Sequence, residues 1–149
     1  MDEERSMIGL FRHGKAESVG DEMARPLTAE GIQAMHKMAQ ELAMNWDLLI
    51  TSPAERAQQT GIILTNLMPQ IEETLYVSST PSERHIIDIK RFLMPIVENK
   101  QAVLVITHEP VMLPLLQVLV GDHTIEHGFK AGEGVIIDGG TYQLITRGE

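Results

Sequence analysis

The stretch VLVITHEP, residues 103–110, starts with four consecutive apolar residues, of which three are β-branched, and continues into polar residues. A strand that is apolar at every position, as from Val103 to Ile106, is typical of a sheet that is covered on both faces. Parallel strands of such a sheet need helical crossovers between them. The stretch therefore predicts an α/β protein with helices on both sides of a mostly parallel sheet.

The rest of the chain alternates predicted strands with predicted helices. Further strands are predicted at 7–11, 48–50 and 75–77, with a hairpin of 135–138 and 141–146 joined by Gly139-Gly140. Helices are predicted at 29–42, 53–66, 82–97 and 111–120. This alternation predicts one domain over residues 1–149, a three-layer α/β/α sandwich whose mostly parallel sheet ends in an antiparallel edge hairpin.

The predicted helix starts depend on a few polar residues and prolines. Thr28 is predicted to cap the first helix, and Ser52 to cap the second, with Pro53 at the first helical position. Pro114 fits a helix best within the first turn, which places the start of the last helix near Val111.

Composition excludes several classes of protein and site. The chain has 149 residues, no cysteine and a formal net charge of −9, so disulfides, thiolate zinc sites and a cysteine nucleophile are excluded. The negative charge argues against nucleic acid and anionic membranes as partners. The acidic start, residues 1–5, is unlike a secretory signal, and the most apolar run, 111–120, is too short to cross a bilayer. A cytoplasmic location is expected.

Polar side chains follow three of the predicted strands. Arg12 and His13 come after the first strand, Ser52 and Arg56 after the second, and His108 after the fourth. Ligands of open α/β sheets bind at the carboxyl ends of the strands. We therefore expect these residues to meet at one edge of the sheet.

Two arginines and two histidines at such an edge suit a phosphoryl group. The guanidinium groups of Arg12 and Arg56 can each hold phosphoryl oxygens with two parallel hydrogen bonds. The positive surroundings disfavour protonation of His13, so its imidazole is expected to remain a nucleophile at neutral pH. Gly14 leaves room for an oxyanion beside the backbone. Each residue alone has an ordinary structural interpretation, and their joint placement predicts the site.

A metal site has weaker support. His123 and His127 stand four residues apart with Glu126 between them, but GDHTIEHGFK, residues 121–130, is typical of a glycine-bounded loop. Zinc would also need a third protein ligand. The sequence therefore predicts no metal and no cofactor.

Four motifs resemble the histidine phosphatase superfamily, which has the phosphoglycerate mutase-like fold. They are LFRHGKAE (10–17), RPLTAEG (25–31), TSPAERAQQT (51–60) and VLVITHEP (103–110). They stand in the order of that family, and the short chain with its RPLT stretch is most similar to the SixA branch of small phosphohistidine phosphatases. The resemblance implies that His13 becomes phosphorylated, that Arg12, Arg56 and His108 surround the phosphoryl group, and that no metal is needed.

The resemblance leaves the general acid open. Many members of the family protonate the leaving group from a carboxyl group beside the second histidine or after the third strand. Glu109 matches the first arrangement and Glu83 loosely matches the second. The alternative for Glu109 is a carboxylate that only interacts with the dipole of the following helix. A phosphoramidate, whose nitrogen leaves more readily than an alkoxide, needs such an acid less.

The residues and the resemblance together predict a phosphatase that works through a phosphohistidine intermediate on His13. The preferred substrate is a phosphohistidine on a partner protein. The alternatives are a phosphatase of small phosphomonoesters and a catalytically idle phosphate-binding module.

Overall fold

The computed structural model describes residues 6–147, which form one six-stranded sheet with helices on both faces. The strands are β1 (Met7–Arg12), β2 (Leu48–Thr51), β3 (Pro69–Ile71), β4 (Ala102–Thr107), β5 (Gly134–Asp138) and β6 (Thr141–Ile145). Their order across the sheet is β3-β2-β4-β1-β5-β6. The first four of these run parallel, while β5 and β6 are antiparallel to their neighbours. The predicted fold class is confirmed.

Four α-helices cover the sheet, two on each face. They are α1 (Ala29–Leu42), α2 (Glu55–Thr65), α3 (Glu83–Val97) and α4 (Glu109–Val120). The helices α1 and α2 pack together on one face, and α3 and α4 on the other. The predicted cap of α1 is confirmed, because the hydroxyl of Thr28 accepts a hydrogen bond from the amide of Gly31.

The core lies on both sides of the sheet, because neighbouring residues of a strand point to opposite faces. Val103 and Val105 of β4 belong to the apolar cluster beneath α3 and α4, whereas Leu104 and Ile106 belong to the cluster beneath α1 and α2. All six residues of β4 are buried. This explains why the strand is apolar at every position.

The prediction of a third strand at 75–77 is wrong. The structure has β3 upstream, at Pro69–Ile71, followed by a 3₁₀ turn at Glu73–Leu75. Leu75 is apolar because it is fully buried in the cluster beneath α3, and it pairs with no strand. As an edge strand of three residues, β3 is partly exposed and tolerates a proline, so it lacks the apolar pattern of a buried strand.

Two predicted helix starts are also wrong. Helix α2 begins at Glu55, with Ala54 as its N-cap, and the hydroxyl of Ser52 contacts both the amide of Ala54 and the ring of His108. Helix α4 begins at Glu109, before the predicted start, so Pro114 lies inside it and not in its first turn. The loss of one helical hydrogen bond at Pro114 is offset by the burial of the helix against the core.

Among the described residues, no helix is long and apolar enough to cross a membrane. The acidic stretch 1–5, which supports the expected location, lies outside the described residues.

Candidate active site

The strand ends that carry polar residues lie side by side, because β4 has β2 on one side and β1 on the other. In the pairing of β1 with β4, Arg12 lies opposite Thr107, so His13 and His108 follow at neighbouring positions. The amide of His13 donates to the carbonyl of Thr107 at 3.2 Å, which continues the pairing. Ser52 directly follows β2. The sheet thus brings the two histidines to one edge.

The ring of His13 is held in one tautomer. Its Nδ1 donates to the backbone carbonyl of Gly14 at 2.8 Å, and its Nε2 accepts from Nε of Arg56 at 3.3 Å. Because a carbonyl can only accept, the ring proton is on Nδ1 and the lone pair is on Nε2. Burial, and then the charges of Arg56 and Arg12, lower the pKa of His13 to about 4. The ring is therefore neutral at neutral pH, with Nε2 as its nucleophilic atom.

The second histidine, His108, lies against the first. The two ring centroids are 5.1 Å apart, and Tyr76 packs edge-on against the other side of His108 at 5.2 Å. Nε2 of His108 is hydrogen bonded to the hydroxyl of Ser52 at 2.8 Å. Burial, followed by the neighbouring His13 and Arg56, lowers the pKa of His108 to about 3. If Nε2 accepts from the Ser52 hydroxyl, the neutral ring carries its proton on Nδ1 and can donate it to a phosphoryl oxygen without adding a full charge.

The spacing of the motif TSPAERAQQT follows from what its polar residues contact. Ser52, Arg56 and Thr60 are four residues apart, and all three are buried. Ser52 binds the ring of His108 and Arg56 binds the ring of His13. Thr60 accepts a hydrogen bond from the amide of Gly14 at 2.9 Å. The start of α2 therefore connects both histidines to the chain that follows β1.

Each nitrogen of the buried guanidinium of Arg56 has a hydrogen-bond partner among the described residues. Besides the contact with His13, its Nη1 donates to the backbone carbonyl of Glu22 at 2.6 Å. Its Nη2 donates to Oε2 of Glu22 at 2.8 Å. Such pairing is what a buried charge requires, because an unpaired one would be strongly destabilising.

Arg12 has one donor without a hydrogen-bond partner in the described part of the chain. Its Nη1 donates to the backbone carbonyl of Phe129 at 2.7 Å and lies 3.7 Å from Oε1 of Glu109. Its Nε is buried and has no hydrogen-bond partner among residues 6–147. A guanidinium that is anchored by one nitrogen and has another N–H unpaired is suited to receive an anion.

The sequence interpretation missed Glu22, Arg25 and Tyr76. Nη2 of Arg25 donates to Oε1 of Glu22 at 2.7 Å, so this carboxylate bridges Arg25 and Arg56. The hydrogen bonds from Arg25 and then from Arg56 lower the pKa of Glu22, which is therefore ionised. Arg25 begins the motif RPLTAEG, in which the resemblance assigns it no role. Glu22 and Tyr76 carry no sequence signal, since only the folded loops bring them to the pocket.

Gly14 differs from its expected role. Its amide donates to Thr60 and is not directed at the His13 ring. A Cβ at this position would lie 3.1 Å from Cγ of Met35 and 3.3 Å from Cδ2 of Leu27. The structure thus explains the glycine by close packing beneath the pocket, and a contact between its amide and a phosphate is not supported.

The two acid candidates lie in different places. Glu109 begins α4 and lies beside Arg12, with its side chain half exposed. Glu83 begins α3 and is exposed, and it lines a separate cleft between α3 and α4 with Ile87 and Gln117. Tyr76, which follows the 3₁₀ turn at Glu73–Leu75, packs against the ring of His108. Of the two acids, only Glu109 is near the histidine pair.

The grouping of titratable side chains does not suggest a metal centre. Within residues 6–147, no three His, Asp or Glu side chains are placed to hold one ion together. His127 instead packs edge-on against Phe129.

The lowered histidine pKa values predict the pH dependence of the site. We expect the His13 ring to titrate near pH 4 in the folded protein, while a histidine in water titrates near about 6.5. The acidic limb of kcat/KM that reflects protonation of His13 should therefore lie near pH 4. The unfolded chain takes up these protons at higher pH than the folded one, so the free energy of unfolding should fall as the pH drops from 6.5 to about 4.

Nuclear magnetic resonance of the ring carbon-bound protons against pH measures this directly. The same protein in concentrated urea is the control, in which both rings should return to a titration near about 6.5. Titration of His13 close to neutral pH in the folded protein would contradict the electrostatic description.

The chain is similar to known proteins in sequence over part of its length and in fold over nearly all of it. Residues 8–76 match the histidine phosphatase superfamily (branch 1).

Among solved structures, the protein histidine phosphatase SixA complexed with tungstate has a TM-score of 0.79 at 22% identity, covering 95% of this chain and 97% of that chain. A mycobacterial glucosyl-3-phosphoglycerate phosphatase has a TM-score of 0.74 at 12% identity, covering 97% and 100%. A phosphoserine phosphatase mutant from Entamoeba histolytica, in complex with phosphoserine, has a TM-score of 0.71 at 16% identity, covering 93% and 94%. Curated protein sequences give no significant match.

Proposed function

We propose that this chain, of which residues 8–76 match the histidine phosphatase superfamily, is a phosphatase with His13 as its phosphorylated nucleophile. We further propose that a phosphohistidine on another protein is its preferred substrate. The observation that carries this proposal is the tautomer of His13. Its Nδ1 proton is held by the carbonyl of Gly14, so the lone pair of Nε2 faces Arg56 and His108 at the strand edge.

In the first step, Nε2 of His13 attacks the phosphorus atom of the substrate. A P–N bond to His13 forms while the bond from phosphorus to the leaving atom breaks, and the leaving group departs with the electron pair and takes up a proton. Arg12 and Arg56 stabilise the negative charge on the phosphoryl oxygens, which is the main catalytic contribution in phosphoryl transfer. His108 donates a hydrogen bond to one of these oxygens.

In the second step, water hydrolyses the phosphohistidine. The water oxygen attacks phosphorus, the P–N bond breaks with its electron pair returning to Nε2, and one water proton is released to solvent. Inorganic phosphate leaves, and His13 is again neutral with its proton on Nδ1. The low pKa of His13, about 4, favours this step because the ring is a good leaving group when it regains the lone pair.

The preference for a phosphohistidine rests on the leaving group. An alkoxide needs protonation far more than the nitrogen of a phosphoramidate. Neither carboxyl group described at the pocket is well placed to supply that proton, because Glu109 lies 3.7 Å from Arg12 and Glu22 is held ionised between Arg25 and Arg56. The similarity to a protein histidine phosphatase supports the same substrate class. A phosphatase of small esters is the second candidate, supported by the similarity to a glucosyl-3-phosphoglycerate phosphatase.

A substrate panel tests the proposal. The panel contains a phosphohistidine-bearing protein, phosphoramidate, and several sugar phosphates, and release of inorganic phosphate is measured for each. We expect the highest kcat/KM for the phosphohistidine protein, and an acid-labile phosphoryl group on His13 after brief exposure to substrate. A higher kcat/KM for a sugar phosphate would favour the second candidate. Neither turnover nor adduct would favour an idle phosphate-binding module.

The Glu109→Gln variant tests the role of the acid. We expect its rate on an alkyl phosphate to fall by about 10²-fold, while its rate on phosphoramidate changes by less than about threefold, because only the alkoxide depends on a proton. Glu83→Gln is the matched control, since Glu83 lies in a separate cleft and should affect neither rate. Equal losses on both substrates in Glu109→Gln would contradict the leaving-group argument.

A further inference from the structure

We propose that Glu22 is a built-in competitor of the phosphoryl group and keeps the affinity of the pocket for free phosphate low. The inference rests on the proposed function, since it takes the pocket of His13 and Arg56 as the place where the phosphoryl group binds. It adds a residue that determines how strongly the pocket holds its substrate and its product.

The carboxylate of Glu22 uses the donors that a phosphoryl group would need. Its Oε2 accepts from Nη2 of Arg56 at 2.8 Å, and its Oε1 accepts from Nη2 of Arg25 at 2.7 Å. The backbone carbonyl of Glu22 takes Nη1 of Arg56 at 2.6 Å, and Nε of the same guanidinium is on His13. All three nitrogens of Arg56 therefore have partners before any substrate arrives. A carboxylate and a phosphoryl group present paired anionic oxygens to a guanidinium in the same way.

The loop that carries Glu22 is closed at its base, while its tip can move away from Arg56. Its base is closed by the bridge between Ala16 and Leu27 and by the hydrogen bond from the amide of Glu17 to the carbonyl of Pro26 at 2.9 Å. Val19, near the tip, is 82% exposed.

Few described contacts hold the tip of this loop to the rest of the protein. The main ones are the pairing of Glu22 with Arg56, the contact of its carboxylate with the hydroxyl of Tyr76, and the hydrogen bond from the amide of Glu55 to the carbonyl of Met23 at 2.8 Å. The side chain of Glu22 is itself 53% exposed. Displacing the carboxylate therefore exposes little apolar surface, and the free energy at stake is mainly that of the ion pairs.

A competitor of this kind weakens the binding of substrate and product equally, and only the carrier-borne substrate has other contacts that compensate. Any phosphoryl group must displace the carboxylate, and this lowers its affinity by the same factor. A phosphoryl group carried by a protein regains affinity from contacts of its carrier with the rim, whereas inorganic phosphate has no such contacts. Glu22 therefore favours release of the product while the carrier-borne substrate still binds.

An alternative role for Glu22 is to position Arg56. In that case the carboxylate would hold the guanidinium with its Nε toward His13, and removing it would lower kcat without strengthening phosphate binding. The two roles predict opposite effects on phosphate affinity, so the same variant distinguishes them.

The test is calorimetric titration of inorganic phosphate into the wild-type protein and into Glu22→Gln, Glu22→Ala and Asp21→Asn. Asp21→Asn is the matched control, because it removes one exposed negative charge from the same loop. We expect both Glu22 variants to bind phosphate about tenfold more tightly, equivalent to about 1.4 kcal/mol, and Asp21→Asn to bind within about twofold of wild type. Thermal unfolding of each variant verifies that it is folded.

The outcomes separate this inference from the proposed function. Unchanged or weaker phosphate binding in both Glu22 variants would overturn the inference, and weaker binding together with a lower kcat would assign the positioning role instead. Absence of phosphate binding in every folded variant, wild type included, would overturn the proposed function as well. As a second measurement, phosphate should accelerate hydrogen exchange of the amides of residues 18–25 in the wild-type protein, and unchanged exchange would contradict the displacement.

Discussion

Replacing His13 by alanine is expected to lower turnover of every substrate by about 10⁴-fold or more, because it removes the atom to which the phosphoryl group is transferred. The neighbouring imidazole cannot substitute for it. Nε2 of His108 is hydrogen bonded to Ser52, and the ring lies on the next strand end, with its centroid 5.1 Å from that of His13. Steady-state phosphate release measures the loss, and brief exposure to substrate should leave no acid-labile phosphoryl group on the variant.

The matched control is His36→Ala, since His36 is exposed in the middle of α1 and does not follow a strand. Its turnover should stay within about twofold of wild type, as is usual for surface substitutions. Substantial activity of folded His13→Ala on the preferred substrate would rule out the phosphohistidine intermediate. An adduct on His108 in that variant would show that the roles of the two histidines are reversed.

The core of the candidate site could be predicted from sequence because its parts are local. Each of Arg12, His13, Arg56 and His108 stands within a few residues of a strand end, and parallel strands place all their carboxyl ends at one edge. Once the strands were recognised, no detailed tertiary knowledge was needed to expect that these residues lie near one another. The apolar run of β4 supplied the strongest signal, since it is the strand between the other two.

Glu22 and Tyr76 could not be predicted as pocket residues, because they lie far along the chain from the residues that they contact. Glu22 reaches Arg56 from a loop 34 residues away, and its neighbours in sequence suggest only an exposed acidic turn. Tyr76 follows a 3₁₀ turn where a strand was predicted. Its contact with His108 depends on how that turn packs, and hydropathy does not encode this.

Ser52 shows how tertiary structure can add a second role to a residue that a local rule explains. The sequence around it fits a helix cap, and its hydroxyl does accept a hydrogen bond from the amide of Ala54 at 3.2 Å. The same hydroxyl is bonded to the His108 ring at 2.8 Å, and the helix begins only at Glu55. The sequence predicts only the hydrogen bond of Ser52 to the start of its own helix, because it does not show that His108 lies beside Ser52 in the folded protein. The motif thus serves the site more than the helix.

Replacing Arg56 by lysine is expected to lower kcat/KM by about 10² to 10³-fold, which is typical for the loss of one donor that stabilises transition-state charge. Lysine keeps the positive charge, but its ammonium lacks the planar fork that engages several oxygens at once. It would also leave Glu22 and the lone pair of His13 without the partners that the guanidinium supplies. The loss should appear in kcat as well as in KM, because the fork is needed most when charge builds up on the phosphoryl group.

Arg84→Lys is the control for the chemical change itself. Arg84 is exposed on α3 and pairs with Asp88 at 3.2 Å, so the exchange should alter kcat/KM by less than about twofold. Thermal unfolding of Arg56→Lys must accompany the kinetics, because a buried guanidinium is being replaced. If the folded variant retains more than a tenth of wild-type kcat/KM, the phosphoryl group does not depend on the Arg56 fork, and Arg12 becomes the principal stabiliser of its charge.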